Sequence, residues 1–250
     1  MKRISFKQSI YLVLISGLFL AACTTSQTDT GTGPSAGCGK EPLTTPGVAG
    51  NIKMQVGDLQ REYSLYLPAG YDPNTPISLI LSFHGYTDNA INWEYGIGMD
   101  AQADEYGFII AYPDATSFLG TSGRITSWND LTCNASPGPE GPICSADAYV
   151  YDFPPECGEP TPCNWCTCHD DLAFIEQILD DLEANLCIDR SRVYALGMSN
   201  GGMFVHRLGC DLADRFAAIA PVSGTLARGF NCAPESDTQI SIMHIHGRQD

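Results

Sequence analysis

Seven consecutive residues, ISLILSF at 77–83, are apolar apart from two serines and show no alternation between a wet and a dry side. A strand of this kind has to be covered on both faces, which puts it inside a mostly parallel sheet with helices above and below. FIIAY (108–112), VYAL (193–196) and FAAIAPV (216–222) repeat the pattern. Between them the period changes. In HDDLAFIEQILDDLEANL (169–186) Leu172, Ile175, Leu179 and Leu182 recur at helical spacing, with acidic residues in the first turn where the helix dipole favours them. Further helices are expected over 98–105 and 200–213, a strand pair over 51–57 and 60–67 about Gly57-Asp58, and a last, buried strand over 239–246. Strands alternating with helices mean an α/β fold with crossover connections.

A chain of 250 residues, 44% hydrophobic and 17% charged, suffices for one good-sized globular domain, read here as 47–250. The net charge of −16 provides no basic stripe and excludes a nucleic-acid partner. Lys2, Arg3 and Lys7 precede an apolar run over 10–20 and then Leu20-Ala21-Ala22-Cys23. That is the layout of a secretory signal, 1–22, too short for a membrane span. LAAC resembles a bacterial lipoprotein cleavage box, so Cys23 is expected to carry lipid and fix the protein to the cell envelope, or the protein is simply secreted. Residues 23–46 then form a flexible tether. The segment 115–168, rich in Gly, Pro and Cys and without clear period, reads as an insertion.

Gly197-Met198-Ser199-Asn200-Gly201 is a G-x-S-x-G between a predicted strand and a predicted helix. Such a turn lifts a serine hydroxyl above the sheet edge at the positive end of the next helix. Ser199 is the candidate nucleophile. The N–H of Asn200, following it, and that of Tyr86, in the His84-Gly85-Tyr86 loop after ISLILSF, are the candidate oxyanion donors. His84, His169, His206, His244 and His246 read as structural. Trp128, Trp165 and Tyr151 are candidates either to line a pocket or to pack inside.

RVYALGMSNGGMFVHRLGCDLADRFAAIAPVSG, with SAGCGK, REYSLYLPAGYDP, FHG and HDDLAFIEQILDDL upstream in the right order, resembles the polyhydroxybutyrate depolymerase and feruloyl esterase group of α/β-hydrolases (carbohydrate esterase family 1). The resemblance covers everything from Gly37 onward except the cysteine-rich insertion. It implies a serine carboxylic ester hydrolase working through an acyl-enzyme on a polyester or on feruloylated or acetylated polysaccharide, with no cofactor or metal. A non-catalytic polymer-binding lipoprotein on the same scaffold is the alternative. His246-Gly247-Arg248-Gln249-Asp250 matches the family's HG-x-x-D, making Asp250 the triad acid. The family's histidine lies beyond that point, so the chain reads as cut between acid and base.

With Cys23 set aside for lipid, the other ten of the eleven cysteines, an even number in an exported chain, read as disulfides. Cys210 and Cys232 flank a strand and pair, which leaves Cys38 with Cys187. Cys133, Cys144, Cys157, Cys163, Cys166 and Cys168 form three bridges whose pairing the sequence does not choose. CNWCTCH (163–169) lacks the second half of a zinc site. Asp147, Asp152, Glu156 and Glu159 lack the spacing of a calcium loop. The chain is read as a monomer.

Overall fold

The computed structural model describes residues 32–131, 147, 149–159, 165–226, 232 and 238–249. Cys23, Cys133, Cys144, Cys163 and Asp250 lie outside them, as does the expected signal segment. The chain forms a seven-stranded sheet in the order β1-β2-β4-β3-β7-β8-β9. Its strands are β1 (Gly50–Val56), β2 (Leu59–Tyr66), β3 (Ile77–Phe83), β4 (Phe108–Pro113), β7 (Ile188–Met198), β8 (Ala218–Val222) and β9 (Ser241–Ile242). β2 runs antiparallel to both of its neighbours, and the pairs from β4 through β9 are parallel.

Period-two alternation assigns each strand's side chains to two cores. Leu79, Leu81 and Phe83 of β3 join Ile109 and Ala111 of β4 under α3 (Asp171–Asn185) and α4 (Asn200–Asp211). Ile110 and Tyr112 face the other way, against Trp93 of α1 (Ala90–Ile97) and Ala103 of α2 (Met99–Tyr106). On that second face Trp93 Nε1 donates to Ser82 Oγ at 2.9 Å, which explains a serine at a fully buried position of β3. Each wholly buried leucine or isoleucine contributes roughly 1.5–3 kcal/mol relative to exposure.

Three expectations need correction. The helix expected at 98–105 is preceded by a second one, α1, started by the Asn89 side chain accepting from Asn92 N–H. The segment from 115 is not irregular throughout: β5 (Thr116–Gly120) and β6 (Gly123–Ser127) form an antiparallel hairpin. The strand expected to be buried over 239–246 is short and exposed. β9 covers only two residues, with a further bridge from Val222 to Ile245, and Ile242, Met243 and Ile245 are open to solvent. It is the sheet's edge, with no further strand beside it among the described residues.

Cys38 is bonded to Cys187 and Cys210 to Cys232, the pairs read from the sequence. Within the cysteine-rich segment Cys157 is bonded to Cys168. Cys166 is also in a disulfide. Such bridges belong to an oxidising compartment. No described helix is long and apolar enough to cross a membrane.

Candidate active site

Ser199 sits where β7 passes into α4, at φ 54° and ψ −122°, a conformation that a residue with a Cβ adopts only under constraint. Close approach of backbones supplies the constraint. A Cβ on Gly197 would stand 2.5 Å from the Gly201 carbonyl oxygen, and one on Gly201 2.4 Å from that of His84. The turn is then pinned on both sides: Ser199 N–H donates to Val222 O, and Met203 N–H donates to Ser199 O, each at 2.9 Å. Asn200 is the first residue of α4, so its N–H has no acceptor within the helix and lies at the positive end of the dipole.

The loop after β3 faces this turn. His84 is fully buried. Its Nδ1 donates to Gly85 O at 2.8 Å and its Nε2 accepts from Ala115 N–H at 3.1 Å, which assigns the ring proton to Nδ1. Both nitrogens hold the loop in place. Thr87 takes a positive φ of 67° and donates its N–H to Thr126 O at 2.9 Å. Between them Tyr86 turns toward Ser199. Burial, followed by the nearby Asp152 charge, pushes its phenol up to about 12, so the ring stays neutral.

A cleft of about 270 Å³ opens above Ser199, lined by Tyr86, Tyr151, Trp165, Asn200 and Met203. The Tyr86 and Tyr151 rings meet edge to face at 5.7 Å, and Tyr151 and Trp165 at 6.0 Å. Tyr151 and Trp165 come from the cysteine-rich segment. Asp152 docks that segment on the β5–β6 turn by accepting from Thr121 N–H at 2.9 Å. The three aromatic candidates thus divide. Trp128 packs inside, stacked on Phe204 at 5.1 Å and donating from Nε1 to His84 O at 3.0 Å. Tyr151 and Trp165 line the cleft.

Beneath the cleft, residues 127–131 are held by buried polar groups that sequence reasoning missed. Asp171 accepts from Asn129 N–H at 2.7 Å and pairs with Arg61 at 2.8 Å, both carboxylate and guanidinium being almost inaccessible. Arg207 of α4 donates to Asn129 O at 2.5 Å. The Asn200 side chain accepts from Trp128 N–H at 2.8 Å. Arg61, Asp171 and Arg207 occupy polar positions of β2, α3 and α4 whose burial leaves no mark on the hydrophobic period, so only the adjacency of Asn200 to Ser199 offered a signal.

Among the described residues no histidine lines the cleft. His206 lies within α4, its pKa lowered mainly by burial and then by His244. Glu156 lies 3.5 Å from His169. Ile245 N–H donates to Pro221 O at 3.0 Å and Ser223 N–H to Ile245 O at 2.8 Å. This pairing carries residues 246–249 to the carboxyl edge of the sheet, the edge on which Ser199 stands. No cluster of metal-binding side chains occurs among the described residues.

Comparison with known proteins agrees with this geometry. Residues 61–150 match the sequence model of the family described as Esterase PHB depolymerase. Feruloyl esterase C of Emericella nidulans is 30% identical over 216 residues, 86% of this chain and 62% of that protein. The chain therefore spans under two thirds of the length of such relatives. Acetyl xylan esterase from Aspergillus awamori shares the fold at 17% identity and a TM-score of 0.50, over 78% of this chain and 57% of that one. An S-formylglutathione hydrolase from Agrobacterium tumefaciens does so at 16% and 0.50, over 72% and 59%. The strained serine between strand and helix, the sheet order and these likenesses lead to one conclusion: the chain has the α/β-hydrolase fold, and over residues 61–150 it is similar to the family described as Esterase PHB depolymerase.

Proposed function

We propose that the protein is an exported serine esterase that cleaves aromatic acyl esters, of the feruloyl kind, from polysaccharide. The observation that carries this reading is the aromatic cleft directly over Ser199. Flat rings at the acyl position favour a planar aryl group over the aliphatic hydroxyacyl unit of a polyester. A relative named feruloyl esterase C supports the same choice.

In this mechanism Ser199 Oγ attacks the ester carbonyl carbon while a histidine takes its proton. The N–H groups of Asn200 and Tyr86 stabilise the oxyanion. The histidine returns the proton to the departing alcohol oxygen, and water then hydrolyses the acyl-enzyme by the same steps in turn. Asp250 orients that histidine. Lipid on Cys23 holds the enzyme at the cell envelope.

The test uses the full-length protein with methyl ferulate, a hydroxybutyrate oligomer and a fluorophosphonate. Methyl ferulate is expected to be the better substrate, with the phosphonate on Ser199 and Ser199→Ala reducing kcat by roughly a thousandfold or more. Preference for the oligomer would shift the substrate to polyester. An unlabelled Ser199 would make the protein a polymer-binding scaffold instead.

A further inference from the structure

The cleft's aromatic wall is not part of the sheet, so something has to fix it relative to the nucleophile. Trp165 has one polar ring atom, Nε1, and it donates to Asp130 Oδ2 at 3.2 Å. The same carboxylate oxygen lies 3.4 Å from Nδ2 of Asn200, the residue next to Ser199. Asp130 is 1% exposed and Asn200 2%. A carboxylate buried that far is stable only while donors surround it, so each contact it makes is costly to lose. Ser127 adds a second tie. Its hydroxyl donates to Trp165 O and lies 3.3 Å from Asn200 Oδ1. The Trp165 ring and its backbone are therefore both referred to the first residue of α4.

We propose that Asp130 is a positioning residue for acyl selectivity: it latches the Trp165 ring to Asn200, so that the wall of the cleft and the nucleophile turn move as one body. The inference rests on the aryl-esterase reading, because it assigns the latch to recognition of a planar acyl group. Asp130 touches no reacting atom. Its removal should free the ring and weaken aryl binding more than it weakens attack on a small acyl group.

The experiment compares the full-length protein with Asp130→Asn, Trp165→Phe and the double variant. One readout is kcat and KM on methyl ferulate and p-nitrophenyl acetate. The other is calorimetric binding of ferulate in a Ser199→Ala background. Asp130→Asn is expected to lower the methyl ferulate to acetate ratio of kcat/KM about tenfold, mainly through KM, and to weaken ferulate binding to a similar degree. Trp165→Phe, which keeps a ring but loses the donor, should act in the same direction. The double variant should be no worse than the more damaged single one. Equal losses on both esters, or effects that multiply in the double variant, would overturn the latch. If Asp130→Asn fails to fold, an unchanged ratio in Trp165→Phe overturns it equally. If neither ester is turned over, the esterase reading fails, and ferulate binding alone decides the role of Asp130.

Discussion

Ser199 keeps its left-handed backbone because the residues around it leave no alternative, and this can be tested at single glycines. Gly201→Ala puts a methyl group 2.4 Å from the His84 carbonyl oxygen. Backbone cannot swing aside as a side-chain tip can, so we expect a loss of roughly 1–3 kcal/mol in urea unfolding, together with a sharp fall in activity. Gly96 makes the contrast. It lies within α1 with nothing within 4 Å of an added Cβ. Gly96→Ala should raise stability by up to about 1 kcal/mol through helix propensity, without altering the site. The turn that carries Ser199 was legible in the sequence because its glycines are a steric requirement. Asp130 was not, since a buried aspartate in an irregular segment looks like any solvated one until its neighbours are known.

At the level of elements, long strands and α3 could be read from period, while α1 and the β5–β6 hairpin could not. Each of these is short, and each includes glycine at or beside its ends. β9 misled in the opposite sense, since the apolar content of QISIMHI (239–245) says nothing about which neighbour will cover it. The packing of α1 and α2 on β2 and β4 yields a pH prediction. Glu94 and Asp100 hydrogen-bond to one another, with Ser64, Tyr112 and Asp104 around them, and burial raises the pKa of both. The folded state thus holds protons that the unfolded chain has released. That contribution is fully present below the unfolded carboxylate range and is lost as pH rises through the elevated folded values. Glu94→Gln should flatten this slope and stabilise the protein near neutral pH. Urea midpoints measured from pH 4 to 8 for both proteins check it, and parallel curves would remove the pair as the cause.

Across the whole molecule, the leading segment is fastened at the start of β7. Ser35 N–H donates to Ile188 O at 2.8 Å, Gly37 N–H to Glu183 O at 2.9 Å, and Cys38 is bonded to Cys187 across 149 residues of sequence. Closing so long a loop restricts the unfolded chain, so Cys38→Ser with Cys187→Ser should cost about 2–5 kcal/mol, read as a fall in Tm. The order of strands and helices was visible in the sequence; the sheet order was not, because hydrophobic period does not say which strands become neighbours. One consequence concerns direction of approach. The fastening is at the start of β7 and Ser199 follows its end, roughly 30 Å away along the strand. A body tied down at its base presents its mouth outward. Whatever precedes residue 32 therefore joins the fold at the base of β7, and the cleft over Ser199 opens at the opposite end of that strand.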